Sequence, residues 1–260
     1  MKHAIGVALL LASGMARAEG SAEDVLKCMR LNVPPQLTIG KLVLTSYDRS
    51  GTARSIKGRL YTARDGSPKG LMSATLRVDG PEDMRGAAYL VRETDDYLRD
   101  GMFVYLPSVK RVRRVTGSFA DGSLLGTDFS YFDFKQMENA FGDLEAKLEG
   151  TEAVNGRPAS VLSFKALPGT ETKYTSVKAW IDQKACVGVK AEFYEGAKRV
   201  KSLSSPPDAL RQSGSTWYVS EIEMRATGAG TRTVLRMGEL DTAKPLSPRQ
   251  FDPTVFYLGP

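Results

Sequence analysis

An active centre built on imidazole is excluded at the outset. The one histidine among the 260 residues is His3, inside an N-terminal stretch that reads as a removable leader. Without it the chain has no histidine general base, no Ser-His or Cys-His nucleophile pair and no histidine-bound metal. Cys28 and Cys186 lack metal-ligand spacing, and neither a G-x-S-x-G elbow nor an S-x-x-K motif occurs. Gly228-Ala229-Gly230 begins like a dinucleotide fingerprint but continues Thr231-Arg232-Thr233, so it reads as a hairpin turn. Carboxylate chemistry needs only two acids, and Asp128 with Asp133 is one such pair. With 30 acids in a chain that is 25% charged, such pairs arise by chance and the solvated-surface reading is preferred. The expectation is a protein that is not an enzyme and uses no cofactor and no metal.

The leader is argued from Lys2, the apolar run Ala4 to Ala12, and Ala16-Arg17-Ala18 as a small-x-small cleavage site. The run is about half the ~20 residues a membrane-spanning helix needs. The competing reading, a buried N-terminal helix, must accept Gly6 and Gly14 and has no polar face. Residues 1–18 are therefore expected to be cleaved and the mature chain to begin at Glu19. A lipoprotein signal needs a cysteine just after the run, whereas Cys28 comes later and follows Lys27. The mature protein is thus expected to be soluble and exported. Loss of Lys2 and Arg17 leaves 34 Lys and Arg against 30 Asp and Glu, a net charge of +4 rather than +6, too small to argue for nucleic acid. In an oxidising compartment the two cysteines are expected to form a Cys28–Cys186 bridge, the alternative being two buried thiols.

Two segments could bind rather than catalyse. In Gly117 to Asn139 the glycines Gly117, Gly122 and Gly126 precede Phe129-Ser130-Tyr131-Phe132-Asp133-Phe134. Four aromatic rings, each burying roughly 150–250 Å², must lie against something. They form either a fixed plug, which the residues alone favour, or a lid over an apolar cavity, which the glycine freedom of the approach would serve. Lys110-Arg111-Val112-Arg113-Arg114 is either a solvated strand face or a docking patch for anionic head groups or an acidic partner. Trp180 and Trp217 read as strand anchors.

The elements that position these residues are mostly strands. Ser21 and Asp24 open a short helix carrying Val25, Leu26, Cys28 and Met29, which Pro34-Pro35 ends. Strands are expected at 37–47, 54–63, 71–78, 86–93, 102–106 and 109–116, then at 145–154, 158–166, 173–181, 186–194, 198–203, 215–225 and 231–237. Asp65-Gly66, Asp100-Gly101 and Asn155-Gly156 are hairpin signals. Short connections without helical crossovers make the sheet antiparallel, and Ser204-Ser205-Pro206-Pro207 reads as a loop within one domain spanning 19–260.

The stretch Tyr105-Leu106-Pro107 to Thr116-Gly117, the block Gly126-Thr127-Asp128-Phe129-Ser130-Tyr131, and the segments Ala179-Trp180-Ile181-Asp182 and Ala191-Glu192-Phe193-Tyr194 resemble the LolA-like outer-membrane lipoprotein-sorting proteins. They are similar in particular to the longer branch associated with RND-type exporters. The resemblance implies a periplasmic half-open antiparallel β-barrel, with short helices over a hydrophobic concave face that holds acyl chains. No position here matches the arginine that ties the lid to the barrel in the founding carrier, or the protruding apolar loop of its receptor counterpart. The expected function is a monomeric carrier of a lipid, a lipidated protein or a similar apolar cargo, handing it to or from an inner-membrane exporter or an outer-membrane acceptor. The alternative is an accessory subunit with a packed interior. The cavity is expected between the sheet and residues 117–139, lined by Met72, Leu76, Tyr89, Val91, Phe103 and Tyr105 from strands and by Phe129, Tyr131, Phe132 and Phe134 from the cover. Lys110, Arg111, Arg113 and Arg114 are expected to form the docking surface at the barrel mouth.

Overall fold

The computed structural model describes residues 20–67, 70–94, 101–138, 144–166 and 172–259; the leader, Glu19 and Asp100 lie outside them. The chain opens with α1 (Ala22–Asn32). The Ser21 hydroxyl accepts from the Asp24 amide at 3.1 Å and the Asp24 carboxylate accepts from the Ser21 amide at 2.8 Å, a reciprocal cap that satisfies two otherwise unpaired donors. Leu26 and Met29 turn into the core, and the helix stops at Val33.

Six strands follow: β1 (Gln36–Tyr47), β2 (Ala53–Arg64), β3 (Met72–Gly80), β4 (Ala88–Arg92), β5 (Gly101–Leu106) and β6 (Arg111–Val115). After α2 (Tyr131–Glu138) come β7 (Leu144–Val154), β8 (Arg157–Ala166), β9 (Ser176–Asp182), β10 (Gly188–Glu195) and β11 (Lys198–Ser204). Then come β12 (Leu210–Ser213), β13 (Thr216–Val219), β14 (Glu221–Ala226), β15 (Thr231–Met237) and β16 (Leu240–Asp241). One antiparallel sheet runs β6-β5-β4-β3-β2-β1-β15-β14-β11-β10-β9-β8-β7, with β16 beside β1. It is open rather than closed, with β6 and β7 as its two ends. The alternation of each strand places Leu42, Leu44, Leu60, Leu76, Tyr89, Met224 and Leu235 on the concave face, in one continuous core. A register shift at Lys57/Gly58 brings β2 so close to β3 that a Cβ on Gly58 would sit 2.3 Å from the Arg77 carbonyl oxygen. Only glycine fits this bulge, which bends the sheet.

Asn155 and Gly156, both with positive φ, make the tight turn between β7 and β8. Asp65-Gly66 does not make one. The Asp65 carboxylate accepts from the Ser67 and Leu71 amides and organises a wider loop. The stretch 215–225 is not one strand either: it breaks at Ser220, whose amide donates to Ala209, and β13 folds back on β12 as a separate hairpin. Past β16, the turn Pro248–Phe251 and Phe256 cover the outer face, packing on Ala88, Leu90, Phe103, Tyr105 and Val112.

Cys28 and Cys186 are joined, with Cα atoms 5.6 Å apart, and close a loop of 158 residues. The bridge fastens α1 to the β9–β10 turn. Asp182 shapes that turn: its carboxylate accepts from the Lys184 and Ala185 amides at 3.0 and 2.7 Å and from Arg157 at 2.5 and 2.9 Å. Cys186 is held there with φ 55°. Replacing both cysteines by serine should cost about 2–5 kcal/mol, the chain-entropy limit for such a loop being about 5. Equal urea midpoints with and without reductant would show that the bridge contributes nothing. Burial works to raise the Asp182 pKa, but Arg157 and the turn amides outweigh it and hold the carboxyl below its ordinary value. A depressed folded-state pKa contributes stability above the unfolded value of about 3.9 that is lost as pH falls through the folded one. The stability gap between wild type and Asp182→Asn should therefore be present at pH 7 and narrow below about pH 4. A gap independent of pH in urea titrations would contradict this.

Candidate functional site

The middle segment decodes residue by residue as a fastened cover. Gly117 and Gly126 take positive φ, Leu125 does so beside the latter, and a Cβ on Gly122 would meet the Phe119 carbonyl oxygen at 2.8 Å. These glycines serve turns of defined shape. The Asp128 carboxylate accepts from the Thr231 hydroxyl, and from the Thr233 hydroxyl at 2.7 Å, tying the segment to β15. Ser130 caps α2, its hydroxyl accepting from the Asp133 amide at 3.0 Å while Asp133 accepts from the Ser130 amide at 2.8 Å. The same carboxylate meets the Lys201 ammonium at 2.9 Å, with Asp133 1% and Lys201 13% exposed at the side chain. Asp128 and Asp133, the carboxylate pair of the sequence, are thus each committed to the barrel wall. The Tyr89 hydroxyl donates to the Tyr131 carbonyl at 3.0 Å, and burial pushes its pKa well up. Tyr174, raised by burial and then by the Asp133 charge, lies beside the same pair.

The ten residues expected around a cavity separate into three groups. Leu76, Tyr89, Val91, Phe129, Phe132 and Phe134 meet in the filled core, and Tyr131 packs at its margin. Met72 is buried at the start of β3. Phe103 and Tyr105 face the opposite way. They pack on the outer face with Phe256, and Tyr105 stacks on Tyr257 at 3.9 Å, so they are corrected to the convex side. The apolar cavity lies elsewhere, at the Gln36 end of β1, and none of the ten lines it.

Its volume is about 220 Å³. Its floor is Leu37, Ile39 and Leu60 on one side and Ala179, Ala191 and Leu203 on the other; its roof is Met29 of α1 and Val33 just past its end, with Trp217 to Val219 of the β12–β13 hairpin. The Asn32 side-chain amide clasps the hairpin, donating to the Trp217 carbonyl at 2.7 Å and accepting from the Trp217 amide at 2.8 Å. Cys186 also lines the cavity, so the disulfide holds its roof to its wall. Trp217 is therefore a roof residue, whereas Trp180 is almost fully buried and lies beneath Lys178 and Lys190, whose ammonium groups are 4.8 and 3.8 Å from its ring. Leu37 and Ile39 alternate as a one-sided strand should, a signal that could have placed the floor. Nothing in the sequence signals the clasp.

The basic run occupies the end strand β6. By alternation Arg111 and Arg113 lie on the concave side with Val115, Arg114 lies on the outer side, and Lys110 sits in the preceding turn with φ 54°. The four do not share one face.

A half-open antiparallel barrel with helices over its concave face is a LolA-like fold. A DUF1329 family protein from Desulfovibrio piger superposes with TM-score 0.80 at 23% identity, over 89% of this chain and 95% of that one. A domain from Vibrio parahaemolyticus, named for outer-membrane lipoprotein sorting, gives 0.78 at 21% identity over 91% and 99%. A LolA superfamily protein from Nitrosomonas europaea gives 0.68 at 17% over 90% and 98%. No curated protein matches the chain. A family model described as "Uncharacterized protein" matches residues 70–256, and the chain belongs to that family.

Proposed function

We propose that the protein is a periplasmic carrier that shields an apolar chain, from a lipid or a lipidated protein, in the cavity beneath α1 and the β12–β13 hairpin. The observation that carries this reading is an open, apolar cavity beside a core that the described aromatic and aliphatic side chains fill. Each buried methylene contributes roughly 0.8 kcal/mol. At about 220 Å³ the cavity is smaller than the roughly 300–1,000 Å³ of ordinary ligand sites. Part of one chain fits, and a longer chain requires the hairpin to move. Residues 117–136 then act as the fixed plug of the two alternatives, fastened by Asp128 and Asp133. The disulfide supports an oxidising compartment, and no described helix is long and apolar enough to cross a membrane. Cleavage before Glu19 completes the export route.

Solvent extraction of freshly purified protein followed by lipid mass spectrometry should yield acyl lipid near stoichiometry. A lipid-free extract together with no uptake of a fluorescent fatty acid would favour an accessory subunit of an exporter or outer-membrane complex. In the carrier reading Arg111 and Arg113, at the lip of the barrel, meet the membrane or acidic partner that donates or receives cargo. Arg111→Glu with Arg113→Glu should slow transfer to acceptor vesicles at low ionic strength and leave the melting temperature nearly unchanged. A wild-type transfer rate would reduce the run to a solvated strand.

A further inference from the structure

The outer face of the barrel carries a second, wide groove of about 590 Å³, walled by Tyr47, Arg49, Arg199, Ser202, Arg225 and Arg232. It lies at the Tyr47 end of β1, ten residues or roughly 30 Å along the strand from Leu37 in the cavity wall. The registers align Tyr47 with Arg232, Arg232 with Arg225 and Arg225 with Ser202, one row across four strands on the convex side. Like charges directly opposite each other destabilise a strand pair. Here a single carboxylate, Glu223, serves both guanidinium groups, at 2.5 Å from Arg225 and 3.0 Å from Arg232. The opposed pair Arg59 and Arg77 differs: Arg59 has Asp79 and Arg77 has the Tyr257 carbonyl.

The other contacts hold the groove's arginines in place. Arg232 lies over the Tyr47 ring at 3.7 Å, Arg49 donates to the carbonyls of Ala229 and Gly228, and Arg199 pairs with Glu192 at 3.0 Å. Asp48, the acidic group in the wall, accepts from Ser50 and Thr52 within its own turn. A guanidinium carries five donors and the contacts named engage one or two of them. Four such groups around one groove exceed what the two oxygens of a carboxylate can accept, but suit the three or four oxygens of a phosphoryl group.

We infer that this groove binds a phosphate ester. The site is independent of the carrier reading, because it is too far from the cavity to hold the head group of a chain lodged there. Two probes distinguish the source of the phosphate: inorganic pyrophosphate by calorimetry, and vesicles of phosphatidylglycerol in phosphatidylcholine by flotation, both at low ionic strength with the full mature chain. Arg225→Gln with Arg232→Gln should weaken binding roughly tenfold or more, and Lys147→Gln, an exposed lysine on the end strand β7, should not. Arg199→Gln serves as a second variant should the double one fail to fold. Loss of both pyrophosphate and vesicle binding in the variant assigns membrane head groups, and pyrophosphate binding without flotation assigns a soluble phosphate. Absence of binding to either probe, or binding that the groove variants leave unchanged, overturns the site.

Discussion

Asp133→Ala should destabilise the protein by about 3–5 kcal/mol, the usual consequence of leaving a buried charge without its partner. The Lys201 ammonium, 13% exposed, would lose the carboxylate 2.9 Å away, and α2 would lose half of its cap at Ser130. The cost arises from the orphaned charge and not from a large net gain by the pair, because desolvation offsets most of the attraction. Asp133→Leu combined with Lys201→Met should therefore recover most of the loss. Urea unfolding of the two single variants and the double variant makes the comparison. Additive losses would show that Asp133 and Lys201 act separately, and that the cover is held by its aromatic side chains alone.

Ala191→Phe should weaken uptake of apolar probes roughly tenfold or more while the barrel stays folded. Ala191 lines the cavity floor opposite the hairpin, and a benzyl group there occupies the space a cargo chain would take. Excluding even two methylenes costs about 1.6 kcal/mol, roughly a tenfold loss of affinity. The added ring has an existing void to enter, so the stability cost should stay at or below the usual 1–3 kcal/mol of overpacking. Titration with a fluorescent fatty acid reads the affinity, and thermal unfolding reads the fold. Undiminished uptake would place the apolar site elsewhere.

The meander, the capped first helix, the disulfide and the buried aromatic block were legible because each rests on local chemistry: period-2 runs, Ser21-x-x-Asp24, two cysteines, four rings in six residues. The face of each strand was not. In β4, Ala88-Tyr89-Leu90-Val91 is buried throughout, because the concave core covers one side and Phe256 the other. No alternation survives in such a strand. Phe103 and Tyr105 on β5 were misplaced for the same reason, since their cover is a segment some 150 residues further along the chain. The cavity was missed because its roof depends on a break at Ser220 inside what reads as one strand, and on an Asn32 side chain that meets Trp217 across 185 residues. The aromatic block was correctly read as buried, but its polar residues Asp128 and Asp133 looked like solvated acids because Thr231, Thr233 and Lys201 approach only in the folded barrel.

The most direct test of the carrier account is site-specific photocrosslinking in the intact periplasm, comparing the cavity positions Leu37, Tyr218 and Ile222 with Phe103 and Val112 on the outer face. The account predicts acyl lipid or lipidated protein captured at the three cavity positions and absent from the two outer ones. Equal capture on both faces, or no lipid at Leu37, Tyr218 and Ile222 while the protein is folded and exported, would contradict it.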